Sequence, residues 1–428
     1  MSKFSSFNFE GYEFNKSEKT LLLHYSYDGE LEFSDKYHFD FDFADYDEKA
    51  LDRAIQILFF MAGVSYYKMY LAVAIIVNAG HIDARLASFL NKTYLKGLGE
   101  LLYINKLNPR MPVDFPVNSA DLEPIEINSN GSKLIGIGGG KDSLVSVEFL
   151  EDTQNLASWS LNHRPKLEPL ISRIGLKHFW VDRALDPKIA ELNKLDAYNG
   201  HIPISAIFSC VGAVVSILTG YRDNVVSNES SANEPNLSYE GIDINHQYSK
   251  SLEFEKDFQD ILKHNFGDSI RYYSLLRPFS ELRIAEFFAR KSFNKYKDVF
   301  CSCNRAFASN NPVLKWCGEC AKCAFVFLAL TPFIDRAALE KVWEGKNLLL
   351  DPALESMYRK ILGIEGDKPL DCVGEVKEAR AAMRLAQKIY PELSKYIFDI
   401  PETYDYKSWS TSCMPEELLS YIKDKTKT

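Results

Sequence analysis

Apolar and polar residues alternate in "TLLLHYSY" and "YHFDFDF" near the start of the chain, and this period of two predicts strands. Longer apolar runs with helical spacing follow, and they predict helices over roughly 47–62, 66–78 and 82–102. The stretch 108–132, "NPRMPVDFPVNSADLEPIEINSNGS", is rich in Pro, Asn and Ser and has no sustained period, so it reads as a linker crossing a surface. From 133 the pattern changes. "KLIGI", "LASWSLN", "LKHFWVDR" and "DNVVSN" are strand candidates, and "DSLVSVEFLED" and "SAIFSCVGAVVSILTGY" are helix candidates between them. Strands alternating with helices predict a doubly wound, mostly parallel α/β sheet, whose ligands sit at the C-terminal strand ends. From about 325 the chain is mostly helical, and no internal repeat or low-complexity tract interrupts it. The expected organisation is an α+β unit over 1–107, the linker over 108–132, an α/β domain over 133–300, and a cysteine-bearing helical region over 301–428.

The 428 residues, 46% hydrophobic, are ample for a packed core in two or three domains. A net charge of −9 disfavours a broad nucleic-acid surface, so no nucleic-acid partner is expected. The most apolar stretch, 54–77, is broken by Ser65, Tyr66, Tyr67 and Lys68, and reads as buried helices, not a membrane span. The N-terminus lacks the apolar core of a signal peptide, and five of eight cysteines fall between 301 and 323. That clustering points to metal binding in a reducing compartment, and the cytoplasm is the expected location.

"IGIGGGKDSLVS" (135–146) has the composition of a phosphate loop. A Walker loop requires G-x-x-x-x-G-K-[ST], but Asp142 follows Lys141. A dinucleotide turn requires G-x-G-x-x-G, but Lys141 holds the last position. "GGGKDS" is instead similar to the S-G-G-x-D-S pyrophosphate loop of the PP-loop ATPases, with Gly138 in place of the first serine. Gly138, Gly139 and Gly140 would let backbone N–H groups approach phosphate, and the following helix would point its positive end there. Lys141 would neutralise charge, Asp142 would cap the helix or hold Mg²⁺, and Ser143 would donate a hydrogen bond.

"CSCNRAFASNNPVLKWCGECAKC" lets Cys303, Cys317, Cys320 and Cys323 converge as four thiolates, with Cys301 competing for the place of Cys303. A closed tetrahedral Zn²⁺ site of structural type is the expected occupant, and an iron–sulfur cluster is the alternative.

Beyond these two motifs, "GIGGGKDSLVSVE", "WVDRALDP", "NGHIPISAI", "NESSANEPN", "INHQYSKSLEFE", "CGECAKCAFVFLAL" and "KPLDCVGEVKEA" span roughly 130–380. In content and order they resemble the UDP-N-acetylmuramoyl-L-alanyl-L-glutamate epimerases, peptidoglycan-precursor enzymes of bacteria. The resemblance implies ATP-dependent inversion of the terminal L-glutamate of a UDP-linked muramoyl dipeptide, with Mg²⁺ and release of AMP and pyrophosphate. Adenylation fits that chemistry, because the α-proton beside a free carboxylate is very weakly acidic. An acyl-adenylate removes that charge, and an acid–base pair then exchanges the proton.

The proton carriers are sought at His246, with Tyr248 and Lys250 beside it, and at Cys372. A satisfied polar histidine and a buried cysteine are the bland alternatives. "SNESSANEPN" follows a strand, and its Asn228, Glu229, Asn233, Glu234 and Asn236 are expected to face Mg²⁺, ribose or substrate. Asp182 and Arg183, and likewise Arg277, are candidates for holding a carboxylate or phosphate, with a surface ion pair the alternative. Two other classes remain open: a PP-loop ligase or thiolase acting on a base or tRNA, and an ATP-binding sensor without catalysis. Oligomeric state is not legible.

Overall fold

A computed structural model of the chain describes residues 3–129, 131–308, 313–401 and 403–427. Nine strands form one sheet: β1 (Ser6–Asn15), β2 (Thr20–Tyr27), β3 (Leu31–Asp40), β4 (Ala74–Val77), β5 (Lys133–Gly136), β6 (Leu156–Leu161), β7 (Lys177–Ala184), β8 (Asp223–Val226) and β11 (Arg271–Ser274). A separate hairpin joins β9 (Leu237–Tyr239) to β10 (Ile242–Ile244). The sheet order is β11-β8-β5-β6-β7-β3-β2-β1-β4.

Five neighbouring strands, β11, β8, β5, β6 and β7, run parallel. Beyond them β3, β2 and β1 are antiparallel, and β4 returns parallel to β1. The sheet is therefore mixed, with mostly parallel pairings. Pairing of Lys36–Asp40 on β3 with Ala184–Trp180 on β7 carries the sheet unbroken from the N-terminal strands into the parallel half. The described residues of 108–132 are extended and tied down: Phe115 is buried, and the Ile125 N–H donates to the Asn265 carbonyl.

The helix expected over 66–78 is replaced by a turn and β4. Leu71 has φ of 51°, which no helix tolerates, and Ile75, Ile76 and Val77 are β-branched residues that suit the edge of β1. The helix expected over 82–102 is two helices, Ala84–Gly97 and Gly99–Ile104. The helix Ile204–Thr219 is apolar nearly all round because it packs against the helix Glu48–Ala62 as well as β8. No helix among the described residues is long and apolar enough to cross a membrane.

Candidate active site

The parallel half is built outward from β5, with β6 on one side and β8 on the other. Chain order reverses there, so the C-terminal ends of β5 and β8 form the topological switch point where doubly wound sheets open a crevice. The Gly138–Gly140 loop leaves β5 at that point and leads into the helix Lys141–Leu150. Gly139 has φ of 89°, and a Cβ there would lie 2.8 Å from the Cys301 carbonyl oxygen. The Cys301 N–H also donates to the Gly139 carbonyl at 2.8 Å, so the cysteine-bearing segment braces the loop. Gly138 is exposed, and a Cβ there would meet open space. Gly140 is the N-cap and supplies no side-chain acceptor to the first turn of the helix.

Lys141 points inward, 2% exposed, and is ion-paired with Asp142 and Glu281. Burial pulls its pKa down, but the two carboxylates outweigh this and hold it well above the usual lysine range. Burial raises Asp142, yet Lys141, Lys322 and Lys250 together keep it below the usual carboxylate range. Glu281 moves up, because burial exceeds the pull of Lys141. Ser143 Oγ donates to the Gly140 carbonyl at 3.3 Å.

The loop after β8 carries Asn228 and Glu229. The Asn228 carbonyl accepts from Ser274 Oγ on β11, and the Glu229 side chain is buried where its charge acts on Lys250 and Glu281. Arg277 is fully buried, not at a surface. It pairs with Glu255 at 2.9 Å and donates to the Glu229 and Lys250 carbonyls, fixing both backbones. Asn236 accepts from the His246 N–H and donates to the Pro369 carbonyl, both at 2.9 Å. That side chain ties the segment bearing His246 to the segment bearing Cys372. Asn233 accepts from the Leu252 N–H at 2.7 Å, and Glu234 pairs with Lys368 at 3.1 Å. The loop read as ligand-facing therefore commits Asn233 and Asn236 to holding neighbouring turns.

Cys372 lies beside both His246 and Lys250. Lys250 Nζ donates to its Sγ at 3.3 Å, and His246 is close enough to act on the thiol's ionisation. His246 Nδ1 is bonded in turn to Glu100, and its ring lies against His201 with centroids 4.1 Å apart. Glu100 lies in the short helix Gly99–Ile104; the helix before it ends at Gly97, which packs on Pro203, where a Cβ would lie 2.6 Å from that ring. Burial raises the Cys372 thiol, but Lys250, His246 and Lys322 overcome this and bring its pKa down to about 6. Burial pulls His246 down, whereas Cys372 and the bonded Glu100 carry it up to about 9. Near neutral pH the pair is thiolate and imidazolium. Burial, followed by His246 and Lys250, holds His201 down to about 3, so it is neutral. Asp142 and Glu229 both act on Lys250, which links this cluster to the glycine loop as one charged network.

Cys303, Cys317, Cys320 and Cys323 place their sulfurs within 4.8 Å of one another. The Cys303–Cys320 and Cys317–Cys323 separations are 3.8 and 3.7 Å. Four sulfurs about 2.3 Å from a central Zn²⁺ would stand about 3.8 Å apart, so the cage could hold a tetrahedral metal. Cys301 is outside that cage and contributes its backbone to the glycine loop.

Three expected site residues lie elsewhere. Arg183, 4% exposed, is bonded to Asp35 and Ser65 between β7 and β3, so its ion pair is buried and not at the surface. Asp182 is exposed on β7 opposite His38. Tyr248 turns into the apolar core, with its ring beside Phe254 and under Lys96.

Glu100, Glu281, Glu378 and Lys322 escaped the sequence reading. Lys322 sits inside "CAKC", and the cysteine cage directs its charge toward Asp142 and Cys372. Glu378 accepts from the Glu281 N–H at 3.1 Å, and burial holds its carboxyl well above the usual range. The three glutamates lie in short helices, where an acidic residue by itself does not signal burial.

The family model described as MurL N-terminal domain matches residues 1–275, and MurL C-terminal domain matches 299–398. A protein of Salinispora tropica named UDP-N-acetyl-alpha-D-muramoyl-L-alanyl-L-glutamate epimerase is 36% identical over 426 residues, covering 96% of this chain and 92% of its own. The protein of the same name from Xanthomonas oryzae pv. oryzae is 39% identical over 340 residues, covering 78% and 74%. A third, from a Micromonospora species, is 36% identical over 370 residues, covering 85% and 81%. No solved structure matches the chain. With both domain models matched in order and relatives aligned over most of its length, the chain belongs to the MurL family.

Proposed function

We propose that this protein inverts the terminal L-glutamate of UDP-N-acetylmuramoyl-L-alanyl-L-glutamate to D-glutamate, using ATP to activate the α-carboxyl as an acyl-adenylate. The substrate follows from the relatives' shared name across most of both chains. The observation that carries the mechanism is the meeting of the glycine loop with the Cys372–His246–Lys250 cluster at one switch point. A glycine turn that excludes a Cβ, opening onto a helix N-terminus, suits a polyphosphate.

Adenylation supplies a neutral acyl carbonyl beside the α-carbon and expels pyrophosphate. Gly138–Ser143 would cradle the departing phosphates, and Lys141, Lys250 and Lys322 would balance their charge. Asp142 and Glu229 are the carboxylates suited to Mg²⁺. Asn228 would sit at the nucleotide's edge. Inversion then needs an acid and a base, and the ionised group of Cys372, His246 and Lys250 offers both near neutral pH. Arg277 and Asn236 would hold that group in register. The cysteine cage would carry structural Zn²⁺, bracing the loop through the Cys301–Gly139 bond.

Purified protein is incubated with ATP, Mg²⁺ and the UDP-linked L-Ala-L-Glu substrate, and AMP and glutamate chirality are measured. AMP together with D-glutamate is expected. AMP that appears only with a nucleobase or tRNA acceptor would identify a ligase, and neither product from folded, metal-loaded protein would leave no enzyme of this kind.

A further inference from the structure

Glu100 stands between two close packing contacts, and each brings a histidine to it. On one side Gly99 meets Ile244, where a Cβ on the glycine would lie 3.3 Å from Cδ1, and His246 follows on that segment. On the other side Gly200 meets Leu101, where a Cβ on the glycine would lie 3.3 Å from Cα, and His201 is next in the chain. The His246 N–H is fixed by Asn236 Oδ1 at 2.9 Å, and Asn105 Nδ2 donates to the Asn199 carbonyl at 3.3 Å. The result is one carboxylate and two imidazoles whose ligand atoms all lie within 4.8 Å of one another. His246 turns Nδ1 to Glu100, and the two rings have centroids 4.1 Å apart at 38°. An ion pair with Glu100 uses one imidazole, and the second brings another lone pair to the same point. Two nitrogens and one oxygen at about 2.0–2.2 Å from a tetrahedral Zn²⁺ would stand roughly 3.4 Å apart, so small side-chain rotations close the set on an ion.

We propose that Glu100, His201 and His246 form an inhibitory site for a divalent transition ion of the Zn²⁺ class, with water in the fourth position. Lys250, whose charge acts on His201, opposes a further cation there, so these three ligands hold the ion more weakly than the four thiolates of the cysteine cage. The site therefore fills only above the Zn²⁺ level that loads the cage. On binding, the ion displaces the proton from His246 Nδ1, and that proton leaves to solvent. Glu100 exchanges its bond to His246 for one to the metal. The other ring nitrogen of His246 keeps its proton, and the metal-bound imidazole neither takes nor gives one near neutral pH. His246 is thereby withdrawn from inversion, while the phosphate loop is untouched. That consequence rests on the role given to His246 above, and the binding of the ion does not.

Zn²⁺ is titrated into the full chain against a chromophoric chelator, and bound ion is counted in the wild type, H201N, E100Q and H264N. The wild type should bind one Zn²⁺ more than H201N or E100Q. Each of these loses a direct ligand, and even an outer-shell partner costs roughly 10–100-fold in metal affinity. E100Q keeps the shape of the carboxylate and guards against a local collapse in H201N. H264N alters the other group of this kind, Asp83, Asp121 and His264. Inversion of the UDP-linked substrate and pyrophosphate–ATP exchange are then followed as Zn²⁺ rises with Mg²⁺ in excess. Filling the site should stop inversion while exchange continues, and a chelator should restore it. The Zn²⁺ that halves each protein's own zinc-free rate should rise more than about tenfold in H201N. Equal ion counts in the wild type and H201N overturn the proposal, as does an ion lost from H264N in place of H201N. Inversion that persists with the site filled overturns it too. So does exchange lost in step with inversion, because the ion then acts at the phosphates. A wild type that fails to invert without added Zn²⁺ sinks the reading of the reaction, and the ion count still decides the site.

Discussion

Replacing Lys250 with Met removes the largest attraction that opposes burial at the Cys372 thiol. With a pKa of about 6, wild-type Cys372 at pH 7 holds about ten thiolates per thiol. An ordinary cysteine near 9 would hold about one per hundred. Alkylation at a single pH nevertheless understates the difference. Nucleophilicity falls with pKa at a slope of about 0.4–0.5, so three units cost the thiolate roughly twentyfold in intrinsic rate. The two effects leave only about a fivefold advantage at pH 7. The diagnostic quantity is therefore the midpoint of the pH profile. Iodoacetamide labelling of the Cys372 peptide, followed by mass spectrometry from pH 5 to 10, should give a midpoint near 6 in the wild type. K250M should move it upward, because burial is then opposed only by His246 and Lys322. K250R should keep it low. A wild-type midpoint near 9, or one that K250M leaves in place, would refute the thiolate–imidazolium pair.

The same two groups set the pH dependence of turnover. The thiolate is lost below about 6 and the imidazolium above about 9, so kcat/KM should form a bell between them, and E100Q should draw the alkaline limb inward. At the glycine loop, G138S should fold and retain activity because its Cβ enters open space. G139A should abolish pyrophosphate release, since a Cβ there meets a backbone oxygen at 2.8 Å with φ at 89°. R183M should lower stability by about 3–5 kcal/mol through the unpaired buried Asp35, measured by denaturant unfolding. Its KM for the UDP-linked substrate should be unchanged in the folded fraction. Stripping metal from the cysteine cage with a mercurial and a chelator should release one Zn²⁺ per chain and raise the KM for ATP.

Strong local patterns translated directly into structure. Short apolar runs bounded by turn residues became β5, β6, β7 and β8, and C-x-x-C-x-x-C became part of a closed cage. What local pattern could not express was partnership across the chain. "AVAIIV" has helical spacing and β-branched residues at once, and the free edge of β1 decided for a strand. "RYYS" is too short to signal by itself, yet it is β11, completed by β8. The N-terminal strands looked like a unit of their own, because nothing in "YHFDFDF" announces that β3 pairs with β7. At the site, His246, Lys250 and Cys372 were legible as reactive residue types, and 122 positions separate Lys250 from the sulfur it touches. Glu100 was not legible: its role exists only through its bond to His246, 146 positions further along the chain. Arg183 and Arg277 show the converse, since an arginine suited to an anion is equally suited to a buried carboxylate.

The central claim is inversion through an activated carboxyl, and the reaction run in D₂O with limiting ATP tests it most directly. The account predicts one AMP for each substrate molecule whose terminal glutamate becomes the D form, and one deuterium at its α-carbon. Inversion that proceeds without ATP, or D-glutamate that keeps its original α-hydrogen with no deuterium gained, would contradict it.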